Sequence, residues 1–412
     1  MPCRRLAIVV RLLLAAATAA VAVPLAASIA AAESRPWAEI AAAARGQTVH
    51  FNAWGGSEQI NAYIAWVGER VAERHAITLV HVKLADTSDA VARVLAEKSA
   101  GRDRGGSVDL VWINGANFAA MKHAGLLHGP WVALAPNFRH VDVAGKPTTV
   151  TDFTVPTDGL EAPWGMAQFV LMHDTDDLPE PPRTLAALAE WIEREPGRFT
   201  YPQPPDFIGT TFLKQLLTGL VADRDVLARP VEETDPAAVS APLWAWLDRV
   251  RPSLWRGGRA HPASGPALQR LLADGEVAMA MAFNPAEASA AIAAGSLPAT
   301  VRTTTLEGGT LANTHFVAVP YNAAAKEAAM VVADFLMSAE AQVRKQYPGV
   351  WGDFTVLDVA ALPEPDRRRF AELPLGVATL SPEELGPALP EPHPSWTRWL
   401  ETEWDRRYAA GR

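Results

Sequence analysis

The chain has 412 residues, 49% of them hydrophobic, with 46 acidic side chains against 37 basic ones and a net charge of −9. That balance argues against nucleic acid or an anionic membrane surface as a partner, since both attract basic surfaces. Nothing repeats at a fixed period, which speaks against a solenoid.

Arg4 and Arg5 form a short positive segment, followed by an apolar run from about Leu12 to Ala32 that Pro24 interrupts. Ala30-Ala31-Ala32 before Glu33 has the small-residue pattern of a signal-peptidase site, so residues 1–32 are predicted to be a cleaved signal peptide. The rival reading is a retained anchor, because the run is long enough to span a bilayer. Its alanine-rich composition, its proline and the lack of charges closing it favour cleavage, and the residues expected around a twin-arginine signal are missing. Cys3 is the sole cysteine and lies inside this segment. The processed chain is therefore expected to have no disulfide, no thiolate nucleophile, no Cys-ligated metal and no lipid anchor. Losing Arg4, Arg5 and Arg11 leaves 34 basic against 46 acidic residues, a net of about −12. A processed length of about 380 residues exceeds what one core usually supports, so two lobes are expected.

Thr48 to Trp54 reads as a strand, followed by Gly55-Gly56 and a helix capped by Ser57 with one apolar face at Ile60, Tyr63, Ile64, Val67 and Val71. Ile77–Leu84 alternates as a second strand. A helix from Thr87 or Ser88 is predicted to turn Val91, Val94 and Leu95 inward, and Asp109–Ile113 is an apolar third strand. Strand, helix, strand, helix, strand is the pattern of a parallel α/β fold. Further on, strands are predicted at Phe169–Met172, Phe199–Tyr201, Val277–Phe283 and Phe316–Pro320. Helices are predicted at Leu185–Glu195, with Trp191 buried, through Phe212, Leu213, Leu216, Leu217 and Leu220, at Ala286–Ala294, and through Val331, Val332, Phe335 and Leu336. From Ala361 to Pro394 the chain is rich in proline and acid and reads as an extended arm with short helical turns. Trp396, Trp399, Leu400 and Trp404 then form a packing stripe on a docked terminal helix.

Enzyme signatures are missing: there is no G-x-S-x-G, no H-E-x-x-H and no phosphate-binding glycine loop, and no histidines pair at helical spacing. No catalytic residue, metal or cofactor is assigned. In open α/β sheets ligands bind beyond the carboxyl ends of the strands, and the candidates are the polar and aromatic residues found there. Trp54, Gly55 and Gly56 can stack on a ring or hold an anion at a helix start, or else form a tight turn. Asn114 and Asn117 follow the third strand, where either contacts ligand or Asn117 caps its helix. Trp164, between the two α/β halves, lines a cleft or plugs a hinge. Asp206 and Thr210 precede a strong helix and serve a ligand or its cap. Asn284 and Glu287 end another strand, Glu287 pairing with a cation or favouring the helix start. Asn313 and His315 open a strand where the chain should cross between lobes.

Phe51-Asn52-Ala53-Trp54-Gly55-Gly56, Val82-Lys83-Leu84-Ala85-Asp86-Thr87, Trp112-Ile113-Asn114-Gly115 and Thr151–Asp158 are distinctive, as are Ala162–Phe169, Phe283–Ala288 and Asn313-Thr314-His315-Phe316. Together they resemble the periplasmic substrate-binding components of ABC transporters, the YnjB-like group in particular, over about residues 47–360. The resemblance implies a type II periplasmic-binding-protein fold, two α/β lobes joined by two crossing segments with a small molecule enclosed between them. It also implies a periplasmic location and an ABC permease and ATPase as partners. Iron-binding relatives use paired tyrosines, and the five tyrosines here, none adjacent, do not suit ferric iron. The ligand expected from the thiamine-binding relatives is a thiamine-like aromatic cation, compatible with the tryptophans and the acidic balance. The expected division is residues 1–32 signal peptide, 33–160 first part of lobe 1, 161–310 lobe 2, 311–360 return to lobe 1, and 361–412 the proline-rich arm with its docked helix. Two other classes stay open: a secreted hydrolase using carboxylates such as Asp158, Glu161 or Glu287, and a non-transport sensor or scaffold.

Overall fold

The computed structural model describes residues 35–409; the expected signal peptide and Cys3 lie outside them. The first part of the chain runs α1 (Trp37–Ala44), β1 (Thr48–Trp54), α2 (Glu58–His75), β2 (Thr78–Leu84), α3 (Ser88–Ser99), β3 (Leu110–Ile113) and α4 (Gly115–His123). β1 pairs in parallel with both β2 and β3, as the alternating pattern predicted. The Ser57 hydroxyl accepts the Ile60 N–H and caps α2, whose predicted apolar face is buried throughout. In α3 the inward stripe is Ala90 and Val94, four residues apart. Leu95 lies one helical step off that stripe and is 49% exposed, against the expectation.

The middle of the chain adds the hairpin β4 (Thr151–Asp152) and β5 (Val155–Pro156), then β6 (Glu161–Gln168), β7 (Val170–Asp174), α5 (Leu185–Arg194), α6 (Phe207–Leu220), α7 (Pro236–Val250) and α8 (Gly265–Ala273). β8 (Met279–Ala282), α9 (Glu287–Ala293), β9 (Val301–Thr304) and β10 (Thr310–Ala318) follow. β8, β7 and β9 form a small antiparallel sheet of their own. Phe199–Tyr201, predicted as a strand, is buried but joins no sheet. Its neighbourhood is held instead by single bonds such as Trp255 N–H to Phe199 O.

Two strands cross between the sheets. β10 pairs antiparallel with β3 at its Phe316–Ala318 end and with β6 along nearly its whole length, from Ala312↔Gln168 to Ala318↔Glu161. β10 begins at Thr310 rather than Phe316, because β6 pairs its polar first half as well. One core gathers α1, α2, β1, α10 (Lys326–Leu336) and α11 (Ala339–Gln346), and Phe370 of α12 (Glu364–Ala371) joins it. A second gathers the small sheet, α5 to α8 and the end of the chain: α13 (Pro382–Leu385), β11 (Ala388–Leu389) and α14 (Ser395–Trp404), and a third, smaller one lies among α3, β3 and α4. Trp396, Leu400 and Trp404 are fully buried there, and Trp404 Nε1 donates to the Tyr201 hydroxyl at 2.9 Å. No helix among the described residues is long and apolar enough to cross a membrane.

Trp404→Ala is expected to cost about 3–5 kcal/mol through the cavity it leaves, and Trp404→Phe about 1 kcal/mol for the lost hydrogen bond. Thermal melts of both variants check the ranking; equal, small losses would show that the terminal helix is merely laid on the surface.

Candidate functional site

Because β1, β2 and β3 are parallel, their carboxyl ends and the starts of α2, α3 and α4 share one edge of the sheet. At that edge the half-buried Trp54 lies over Gly56 so closely that a β-carbon there would sit 2.3 Å from Cζ2 of the indole. Asn61 Nδ2 donates to Gly55 O at 3.1 Å and ties the turn to α2. Asn114 occupies the cap position of α4 without a side-chain capping bond, and Asn117 lies within the first turn of that helix rather than capping it. Gly115 has φ +57, donates its N–H to Asp152 Oδ2 at 2.5 Å, and lies against the Phe153 ring where a β-carbon would clash.

The second lobe presents α6 and α9 to this edge. Asp206 caps α6 by accepting the N–H groups of Ile208 and Gly209 at 3.0 and 3.2 Å. Burial raises its carboxyl, and the negative charge of Asp86, from the first lobe, adds to the rise. Thr210 Oγ1 donates to Glu401 Oε1 at 2.9 Å. Glu401 is raised by burial too, with Asp86 again contributing. The charge of Asp86, on the β2–α3 turn of the first lobe, therefore acts on both Asp206 and Glu401. Phe207, 39% exposed, meets Phe283 edge-on at 5.3 Å. Asn284 is fully engaged: Oδ1 accepts the Ala286 N–H at 3.0 Å and Nδ2 donates to Trp351 O at 3.1 Å. Glu287 differs. Burial pushes its carboxyl up to about 7, and among the described residues it has no hydrogen-bond or ion-pair partner. It opens α9, whose Ala290 O accepts Gln59 Nε2 of α2 at 2.9 Å, so the two helix starts meet across the cleft.

The crossing strands form the floor. Trp164 is fully buried, with ring centroids of Trp112 at 5.0 Å, Trp351 at 5.3 Å, Phe51 at 6.1 Å and Tyr63 at 6.3 Å. Its side chain is enclosed on all sides by these rings. His315 stacks on Trp351 at 6.1 Å, with Nε2 3.2 Å from Asp353 Oδ1. Lys345 Nζ lies 2.6 Å from Asp353 Oδ2 and donates to Phe354 O at 3.0 Å, while burial lowers the Lys345 ammonium. Asn313 Nδ2 donates to Glu391 Oε1 at 3.0 Å, and Glu391 Oε2 pairs with Lys214 Nζ at 2.7 Å.

Of the twelve residues singled out from sequence, Trp54, Gly55, Gly56, Asn114 and Asn117 lie on the first-lobe edge, and Asp206, Thr210, Asn284 and Glu287 on the second-lobe side. Trp164, Asn313 and His315 lie in the floor and are turned to buried partners. Sequence reasoning did not single out Lys214, Trp351, Glu391 and Glu401 as candidates, nor Asp86 and Phe153 within the distinctive segments that hold them; none of these residues carries a periodic signal. Asp158 is 64% exposed and paired with Lys122, whereas Glu161 is enclosed with both oxygens unbonded, its carboxyl raised by burial. No cluster of metal-ligating side chains is present among the described residues.

The profile of the bacterial extracellular solute-binding proteins matches residues 66–369. The chain belongs to that family. It is also 45% identical over 372 residues to Protein YnjB of Escherichia coli (strain K12), covering 90% of this chain and 94% of YnjB. Among solved structures, the periplasmic binding protein AfuA of Actinobacillus pleuropneumoniae, with exogenous fructose-6-phosphate bound, superposes with TM-score 0.62 at 13% identity over 88% of this chain and 99% of that one. A putative spermidine/putrescine ABC transporter protein of Listeria monocytogenes gives 0.62 at 14% identity over 89% and 99%. The Tp0655 (TpPotD) lipoprotein of Treponema pallidum gives 0.61 at 13% over 87% and 98%. These likenesses establish the two-lobed α/β fold of periplasmic binding proteins. Family and fold alike are those of proteins that bind solutes.

Two outcomes are expected from this solute-binding protein. A methyl on Gly165 would sit 2.0 Å from Asp353 Oδ2, so Gly165→Ala should lower stability by about 1–3 kcal/mol in a thermal melt; an unchanged melt would mean the floor is loosely packed. Glu287 holds its proton more tightly folded than unfolded, so its contribution is full below about pH 4.5 and lost as pH rises through about 7. Asp334, pushed up to about 6 by burial, acts in the same direction. Glu287→Gln removes only the first effect: the variant should lose less stability than the parent between about pH 5 and pH 8, by at most about 3 kcal/mol. Equal losses would show that Glu287 does not titrate in this range.

Proposed function

We propose that this solute-binding protein works in the periplasm, encloses a small molecule between its lobes and delivers it to an ABC permease driven by an ATPase. The observation that carries the reading is the meeting of strand-end loops and helix starts from both lobes over the two crossing strands, bridged by Gln59 and Ala290. Closure of this kind is favoured only by a ligand that touches both lobes. Trp54, the Gly55 and Gly56 amides, Asn114 and Asn117 serve from the first lobe, and Asp206, Thr210 and Glu287 from the second. Asn284, Asn313 and His315 set the floor beneath them.

For the ligand, a thiamine-like aromatic cation is the preferred class. Asp86, Asp206 and Glu401 supply carboxyl groups to the cleft, and the unpaired Glu287, pushed up to about 7 by burial, would be drawn to its charged form by a bound cation. The nearby lysines Lys214 and Lys345 are each bound to an internal carboxylate. Trp54 and Phe207 supply exposed ring area for stacking. The shared scaffold does not itself set ligand charge, since its relatives include one described with a sugar phosphate and one described for polyamines.

The test is a thermal-shift panel on the chain from Glu33 onward, stripped by unfolding and refolding. It includes thiamine and its phosphates, spermidine, putrescine, amino acids and fructose 6-phosphate. A cation at about a hundred times its dissociation constant should add about 2.7 kcal/mol, and Trp54→Ala should weaken that ligand about tenfold or more. A shift with anions alone would contradict the ligand class. Conversion of any compound into product would contradict the transport reading and favour an enzyme.

A further inference from the structure

We infer that the C-terminal arm carries a latch for lobe closure: Glu391 holds Lys214 of the second lobe so that its ammonium docks on the Phe153 ring of the first. The contact joins three parts of the chain. Lys214 stands on α6, Phe153 in the β4–β5 hairpin, and Glu391 just beyond β11. Nζ of Lys214 lies 4.5 Å from the Phe153 centroid and 2.7 Å from Glu391 Oε2, with the two charged side chains 3% and 0% exposed.

Each partner is fixed from its own side. Phe153 has φ +54, a backbone conformation that non-glycine residues rarely adopt. Its ring fills the space that Gly115 leaves by lacking a β-carbon, while the neighbouring Asp152 accepts the Gly115 N–H. The first lobe thus holds the ring in one pose at the cleft edge. Glu391 is placed by β11, which pairs Ala388 and Leu389 with Thr310 and Leu311 of β10, and by His393 N–H donating to Leu227 O at 2.7 Å. Its other oxygen accepts Asn313 Nδ2 of the crossing strand at 3.0 Å. A buried ion pair is a weak source of stability, because taking both charges out of water offsets most of their attraction. A cation placed against an aromatic face gains when water is excluded. Lys214 also lies 5.8 Å from the Phe207 ring of its own helix, and the closer face, Phe153 at 4.5 Å, is the one the first lobe adds. Glu391 acts through Lys214, so it is a positioning residue, and the latch operates on the lobes whichever solute is carried.

The experiment is single-molecule energy transfer on the full processed chain without added solute, with dyes at Leu95→Cys and Glu190→Cys, two exposed positions on opposite lobes. The parent should populate a high-transfer closed state. Phe153→Leu, which keeps apolar bulk but removes the ring, should deplete it several-fold, as should Glu391→Gln, whereas Lys214→Arg should retain it. Circular dichroism confirms that each variant is folded. Unchanged transfer distributions in folded Phe153→Leu and Glu391→Gln, with or without lower melting temperatures, would overturn the latch and leave a purely structural ion pair. A parent without any high-transfer population would overturn it too. Neither result bears on whether a solute binds, which the thermal-shift panel decides separately.

Discussion

Everything in this molecule depends on two antiparallel strands that must leave one core and enter another while burying a charged group between them. Where β6 and β10 run side by side, Asp353 is enclosed with Lys345 on one oxygen and His315 near the other. Gly165 gives them the room. Around this group Trp164, Trp351, Trp112, Tyr63 and Phe51 make a dry aromatic packing that excludes water and fixes where the strands cross. Breaking a buried charge pair by removing one member leaves the other uncompensated, so the arrangement tolerates little drift. A rigid crossing of this kind lets the lobes rotate as bodies while the strand register holds.

The cleft inherits its character from that geometry. Parallel strands aim three helix starts at one edge, and the crossing brings α6 and α9 opposite them. Carboxyl groups accumulate there because each lobe supplies its own: Asp86 from one, Asp206 and Glu401 from the other, with Glu287 unpaired. Burial raises the carboxyls of Asp206, Glu287 and Glu401, which favours their neutral forms in the closed arrangement. Lys214 and Lys345 are each held by an internal carboxylate.

The first three strands and their helices were legible because their periodicity is strong and local: Ile60, Tyr63, Ile64, Val67 and Val71 cannot lie on one face of anything but a helix. The edge residues Trp54 and Asn114 were legible for the same reason, since they follow recognisable strands. Phe199–Tyr201 misled because an apolar triplet can be buried without sheet partners. Leu95 misled because a short alanine, Ala90, took the inward position beside Val94. The contribution of the end of the chain was invisible for a different reason. Glu391 and Glu401 sit in a stretch that reads as a proline-rich arm and a packing helix. Their meeting with Asn313, Lys214 and Thr210 spans 78, 177 and 191 residues of sequence, which no local pattern encodes.

The central claim is that one solute is held by both lobes at once. Its most direct test is small-angle scattering of the exported protein, purified without unfolding, before and after the solute it carries is removed and restored. That solute is identified by mass spectrometry of what unfolding releases. Capture between lobes predicts a larger radius of gyration for the emptied protein and full reversal on adding the solute back. A solute that binds without changing the radius, or that is consumed on addition, would contradict the account.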